Sequence, residues 1–287
     1  MSRIAYVNGQ YQPHRAAFVH IEDRGYQFAD GVYEVCEVHH GQIIDLTRHL
    51  DRLDRSLREI AMRWPISRMA LPYVMREVVR RNRVHNGLVY LQATRGVARR
   101  DHVFPPDSVA PSLVVTARRN DPALIAARNA NGIRVITLPD NRWERVDIKS
   151  IGLLPNVLAR QQARQNGADE AIFVDAEGMV KEGAATNVWI VSQDGELVTR
   201  SADFGILRGI TRTTVIDVAR HLGLRVSERR FSVEEAIKAR EVFITAATSV
   251  IVPVVAIDGQ TVANGHPGSV SLSLREAFFD IAEKTAT

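Results

Sequence analysis

The hydrophobic period of this sequence switches repeatedly between strand-like alternation and helix-like spacing, so the chain must build both sheet and helix. Residues 3–7 alternate apolar and polar ahead of an Asn8-Gly9 turn, which predicts a hairpin whose second strand lies near residues 17–20. Residues 32–38 and 42–45 read as strands on either side of His40-Gly41. Leu50, Leu53, Leu57 and Ile60 then recur at helical spacing behind Thr47, a suitable N-cap, and residues 67–82 read as a second helix. Strands are expected at 88–94 and 113–117.

A chain of 287 residues exceeds one typical domain. Residues 1–117 are expected to form an N-terminal α+β domain. Residues 118–128, with Asn120-Asp121-Pro122 among them, are expected to connect it to a C-terminal α/β domain over 129–287. The second half alternates strands at 133–138, 171–174, 187–191, 242–245 and 251–257 with helices that include 154–165 and 213–222. The predicted class is a two-domain α+β / α/β fold.

The 45 % of hydrophobic and 24 % of charged residues match an ordinary globular protein. No apolar run approaches the roughly 18 residues of a membrane helix, and Met1-Ser2-Arg3-Ile4 lacks the apolar core of a signal peptide, so a cytoplasmic protein with no membrane partner is expected. The net charge of +4 is spread over scattered arginines with no block of like charge, which points away from nucleic acid and toward small anionic ligands. Cys36 stands alone and reads as a buried inert thiol.

Of 37 basic residues other than histidine only Lys149, Lys181, Lys238 and Lys284 are lysine. Where arginine fills the ordinary surface roles, a lysine is expected to do what arginine cannot, which is to offer a neutral primary amine to a carbonyl. Lys284 lies in a terminal stretch expected to fray, and Lys238 on the polar side of a short helix over 233–240. Lys181 follows an Asp-Ala-Glu-Gly turn and reads as exposed. Lys149, in Asp147-Ile148-Lys149-Ser150-Ile151-Gly152, is surrounded by apolar residues, where burial would favour the neutral amine. The alternative is a plain strand-end lysine.

An amine that traps pyridoxal phosphate needs a phosphate cradle and a carboxylate for the ring nitrogen. Gly205-Ile206-Leu207-Arg208-Gly209-Ile210-Thr211-Arg212 is a glycine-containing turn running into a helix, where free N–H groups and the helix dipole favour phosphate. An ordinary capped helix would look the same. Glu182, in Lys181-Glu182-Gly183-Ala184-Ala185-Thr186-Asn187, is the candidate carboxylate, with small neighbours that let a flat ring approach the backbone. It could equally be a turn residue.

These segments, with Glu22-Asp23-Arg24-Gly25-Tyr26-Gln27-Phe28, Asp30-Gly31-Val32-Tyr33-Glu34-Val35, His49-Leu50-Asp51-Arg52-Leu53 and Thr94-Arg95-Gly96, resemble in order the fold-type-IV pyridoxal-phosphate aminotransferases, and most closely the D-amino-acid aminotransferases. The resemblance covers nearly the whole chain. It implies a two-domain fold-type-IV enzyme, a homodimer, with pyridoxal 5'-phosphate held by Lys149 as a Schiff base. It implies that Glu182 pairs with the ring nitrogen, and that Arg52 with the amides of Ile210 and Thr211 holds the phosphate. Arg52 on local pattern alone could join Arg48 and Arg55 on a solvated helix face.

The resemblance gives Tyr33, Arg100 and His102 to the substrate carboxylate, with Val35 lining the same side. In an extended loop Arg100 and His102 point the same way, and a guanidinium offers the fork a carboxylate prefers. Asp101 is then expected to face away and to pair with Arg99. Ala184-Ala185 and Ala246-Ala247 replace hydroxyl residues of the D-specific pattern, so amides near Ala247 and Thr248 are expected to carry more of the phosphate cradle.

The implied reaction is ping-pong transfer of an amino group between D-amino acids and 2-oxo acids. The alternatives within the fold are a branched-chain L-aminotransferase, an (R)-amine transaminase and an aminodeoxychorismate lyase. From a different class, a cofactor-free binding protein would keep the fold without the chemistry of Lys149.

Overall fold

The Asn8-Gly9 turn has positive φ at both residues, 45° and 97°, which matches the twist of a tight hairpin. In the computed structural model, which describes residues 3–203 and 205–287, β1 (Ile4–Val7) therefore pairs at once with β2 (Gln10–Pro13). The second strand is not at 17–20, because a two-residue turn brings the chain back immediately.

The chain then forms α1 (Arg24–Phe28), β3 (Gly31–His39), β4 (Gln42–Ile44), α2 (Leu46–Glu59), α3 (Leu71–Arg81), β5 (Gly87–Thr94) and β6 (Ser112–Arg119). The strand order is β4-β3-β5-β6-β1-β2, and the strand Lys284–Ala286 adds itself outside β4 to make seven. Every pairing in this sheet is antiparallel. Lys284 therefore lies in a ladder instead of fraying. Leu50, Leu53 and Leu57 of α2 and Leu71, Met75 and Val78 of α3 pack with Val32, Cys36, Val89 and Leu91 in one core. Each such side chain contributes about 1.5–3 kcal/mol of burial.

Thr47 does not cap α2. Asp45 occupies that position with φ 52°, and the Thr47 hydroxyl donates instead to Glu283 at 2.8 Å.

The second group of elements comprises α4 (Pro122–Asn131), β7 (Ile133–Pro139), α5 (Leu154–Gln165), β8 (Glu170–Val174), β9 (Val180–Gly183), β10 (Asn187–Val191), β11 (Leu197–Thr199), α6 (Ile210–His221), β12 (Val226–Glu228), α7 (Val233–Ile237), β13 (Glu241–Ala246), β14 (Val250–Ile257), β15 (Gln260–Thr261) and α8 (Ser269–Ile281). The sheet runs β12-β11-β10-β13-β14-β7-β8-β9, with β15 on β14. It is mixed, since β7 lies parallel to both β8 and β14 and the other long pairings are antiparallel. Its core gathers Ile133, Val188, Ile190, Val242, Ile244, Val252 and Val254.

By contact density the chain divides into two compact units: Met1–Asn120 with Ile148–Gly152 and Glu283–Thr287, and Asp121–Asp147 with Leu153–Ala282. The units change over at Asn120 and Asp121, inside the expected connection at 118–128, although that stretch belongs mostly to β6 and α4. β6 runs to Arg119, and Asp121 caps α4 by accepting from the N–H groups of Ala123 and Leu124. Asp-Pro here is a helix start, with proline at the position that needs no donor. Among the described residues no helix is long and apolar enough to cross a membrane.

Candidate active site

The Lys149 segment is fixed as an extra rung beside β3. Tyr33 N–H donates to Lys149 O at 3.0 Å, and Ile151 N–H donates to Gly31 O at 3.1 Å. The half-buried Lys149 amine lies 4.3 Å from the centre of the Tyr33 ring. Among the described residues no carboxylate pairs with it, whereas Lys181 meets Asp140 at 2.5 Å and Lys238 meets Glu234 at 2.6 Å. Lys181 is thus not the exposed residue its turn suggested. Tyr33 and Val35 share one face of β3, and Tyr90, which stands opposite Val35, brings its ring to 5.7 Å from that of Tyr33. Burial, with Tyr33 beside it, pushes the Tyr90 phenol up to about 12, so it stays neutral.

Arg52 is not on a solvated face. Its Nε and Nη2 each donate to Glu34 at 2.7 Å, and His49 Nδ1 meets the same carboxylate at 2.7 Å. Glu34 is 1 % exposed. Burial alone would raise its carboxyl, but the Arg52 charge and the hydrogen bonds from Arg52 and His49 lower it to about 2. The guanidinium is therefore held in place as a permanent cation by a fork on one side.

Arg100 and His102 form a separate cluster around Phe28, with the Arg100 guanidinium 4.5 Å and the His102 ring 5.4 Å from that ring's centre. Arg100, and not its neighbour Arg99, makes this contact. Both side chains are exposed, and among the described residues neither hydrogen-bonds to nor stacks on Tyr33, Val35 or Lys149. The Asp101 carboxylate does not pair with Arg99; it accepts from Val103 N–H at 3.3 Å.

Glu182, at 4 % exposure, is a buried strand residue and not part of a turn. It accepts from Arg142 at 2.6 Å, from Leu207 N–H at 3.0 Å and from the Asn187 amide at 3.3 Å. Arg142 in turn forks onto Asp140 at 2.9 and 3.0 Å and lies 4.4 Å over the Phe173 ring. Burial opposes ionisation of Asp140, but Arg142 and Lys181 outweigh it and hold the acid at about 2. The result is two acids and two bases in alternation, with Glu182 held by fixed donors.

The same Asn187 amide donates to Leu207 O at 3.0 Å. That bond aligns the turn ahead of α6, whose first residues are Ile210 and Thr211, both buried. Their N–H groups have no carbonyl behind them in the helix and are free to bind an anion. Gly209 is obligatory here, since a Cβ would sit 2.0 Å from Asn187 Oδ1. Asn187 also stands opposite Thr245 on β13, two residues before the turn that contains Ala247 and Thr248. Arg275 of α8 secures that turn by donating to Ser249 O and Ile251 O at 2.7 and 2.8 Å.

Glu182, Ile210 and Thr211 are therefore brought together through Leu207 and Asn187. Arg142, Asp140 and Tyr90 were not signalled by local sequence. Arg142 sits 40 residues from the acid it supports, and no spacing rule reaches that far. Glu34, His49 and Asn187 lay inside the quoted motifs without a role.

Residues 31–257 match the family model described as amino-transferase class IV. The chain is 41 % identical over 279 residues to a D-alanine aminotransferase of Listeria monocytogenes, covering 96 % of this chain and 94 % of that one. It is 38 % identical over 273 residues to a D-alanine aminotransferase of Staphylococcus haemolyticus, with 95 % of each covered. Among solved structures, the branched-chain amino acid aminotransferase of Escherichia coli has a TM-score of 0.89 at 26 % identity, covering 98 % of this chain and 95 % of that one.

Proposed function

Because this chain belongs to the amino-transferase class IV family, whose enzymes use pyridoxal 5'-phosphate, we propose that it is a D-amino acid:2-oxo acid aminotransferase in which Lys149 holds the cofactor. The observation that carries this reading is the Lys149 amine, half-buried against Tyr33 with no carboxylate partner among the described residues. A lysine kept only for structure would be paired or fully solvated.

The donor set fits the cofactor. Lys149 offers an amine for its aldehyde, Glu182 an anchored carboxylate for its ring nitrogen, and the first amides of α6 with Arg52 and the turn at Ala247 and Thr248 offer donors for its phosphate. When bound, pyridoxal phosphate supplies an electron sink for the bond pair left at the substrate Cα. Lys149 Nζ would accept the proton that leaves the substrate Cα and would hold it for its return. Arg142 and two amide donors fix the Glu182 carboxyl in place, where it would pair with the ring nitrogen. Tyr33 packs beside Lys149 and limits where the amine can swing. Arg100 and His102, in their cluster around Phe28, would take the substrate carboxylate, while Tyr33 and Val35 line the face of β3 beside Lys149.

The D-alanine aminotransferases at 38 and 41 % identity favour D-alanine as the donor. The likeness to a branched-chain aminotransferase favours a second reading, with apolar L-amino acids as substrates. The proposed setting is a cytoplasmic homodimer. Exposed Phe18, Ile21, Tyr26, Val103 and Phe104, on the two segments that the Asp23–Val97 bridge joins, support such association.

The test is a half-reaction screen on the purified protein loaded with pyridoxal phosphate. Loss of the absorbance band near about 400 nm with D-alanine, but not with L-leucine, is expected. The opposite preference would establish the second reading. Lys149→Ala should abolish both the band and its borohydride-stable attachment; a variant that retains them would remove Lys149 from its role.

A further inference from the structure

The loop that carries Arg100 and His102 is gripped by an arginine that the chemistry above does not use. Arg24, the first residue of α1, is 3 % exposed, and its Nε meets Asp30 at 2.8 Å. Its Nη1 donates to the backbone carbonyls of Asp101 at 2.6 Å and Val103 at 3.3 Å. These two peptide units flank residues 102 and 103. Fixing both sets the rotation of the backbone at His102 and, through residue 101, at Arg100.

The anchor behind Arg24 is held from several sides. Asp30 Oδ2 also accepts from Arg95 at 2.8 Å, and Arg95 donates to Ile60 O at 2.7 Å and Ala61 O at 3.0 Å. Burial would raise the Asp30 acid, but the two arginines hold it below its ordinary value. The backbone repeats the connection, with Arg24 N–H on Gly96 O at 2.9 Å and Ala98 N–H on Glu22 O at 3.3 Å. Phe28 meets both the Arg24 and the Arg100 guanidiniums, 4.9 and 4.5 Å from its centre.

A buried guanidinium has five N–H donors and needs acceptors beyond one carboxylate. A purely structural arginine would find them in the core. Arg24 finds them on residues 101 and 103, both exposed, so the shape it determines is that of the loop. We propose that Arg24 is a positioning residue that sets the substrate-carboxylate loop, holding the carbonyls of 101 and 103 so that Arg100 and His102 converge on one carboxylate. This rests on the role given above to Arg100 and His102. Lysine at this position would keep the charge beside Asp30, but its compact ammonium cannot span that carboxylate and both carbonyls.

The experiment compares the loaded wild-type enzyme with Arg24→Lys, Arg24→Gln and Arg100→Ala. It measures KM and kcat for D-alanine, Ki for propionate (a carboxylate without the amine), and amide hydrogen exchange over residues 98–104. Arg24→Lys should raise KM and Ki together by on the order of tenfold, the scale of a misplaced binding group, and leave kcat nearly unchanged. Exchange over 98–104 should accelerate while α2 and β3 stay protected. Unchanged KM and Ki in Arg24→Lys, with Arg100→Ala raising both, would overturn the positioning role alone. If Arg100→Ala moves neither constant, the carboxylate reading and this inference both fail. Should Arg24→Gln not fold, the lysine variant and its loop exchange decide.

Discussion

Glu34 shows how much a single buried group can carry. Its folded acid titrates at about 2 against an ordinary 4.5, so the unfolded chain binds the proton more tightly. The stability this contributes is fully present above pH 4.5 and is lost as pH falls toward 2. The gap corresponds to roughly 3 kcal/mol. Glu34→Gln should flatten the acid limb of a urea-unfolding series in that window. It should also lower stability at pH 7 by about 3–5 kcal/mol, because Arg52 would keep a buried charge without its partner. An unaltered acid limb would show that another carboxylate governs it. None of this could be seen in the sequence, where Glu34 and Arg52 are 18 residues apart on different elements. Lys149 and Glu182 stood out as candidates through lysine scarcity and small neighbours, but local sequence left each with an ordinary alternative and only the ordered resemblance singled them out. Arg142 and Arg24 were not, since one arginine among so many carries no mark until its partners are known.

At the scale of elements, legibility followed the strength of local signals. The helix expected at 154–165 is α5 to the residue, and the central strands of both sheets fall where β-branched runs placed them. The start of α2 was misplaced because Asp45 enters it from the left-handed region, which sequence does not announce. α4 was taken for a linker because Asn-Asp-Pro suits a turn and a helix start alike. The turn into α6 yields a direct prediction. Gly209→Ala places a methyl 2.0 Å from Asn187 Oδ1, so the Asn187–Leu207 bond and the alignment of the first α6 amides should be lost. Equilibrium dialysis should show pyridoxal phosphate binding about tenfold weaker, the equivalent of roughly 1.4 kcal/mol. Unchanged affinity would mean that the α6 amides take no part in holding the phosphate.

Across the whole chain, the division expected from sequence was continuous, whereas the units interleave. Ile148–Gly152 and Glu283–Thr287 belong with the first unit although the intervening residues build the second. Sequence could not show this, because membership depends on pairings such as Ile44 with Lys284, which span almost the entire length. Deleting residues 283–287 should expose the β4 edge and remove the Glu283 carboxylate to which Thr47 N–H and its hydroxyl donate. Faster hydrogen exchange in β4 and the start of α2, with β10 and β13 unaffected, is the expected result. The terminal strand also has a consequence for biosynthesis. A ribosome delivers the first unit's core early but withholds this strand until residues 121–282 have been made, so that unit must wait with a bare sheet edge, available to chaperones, while the second unit is made.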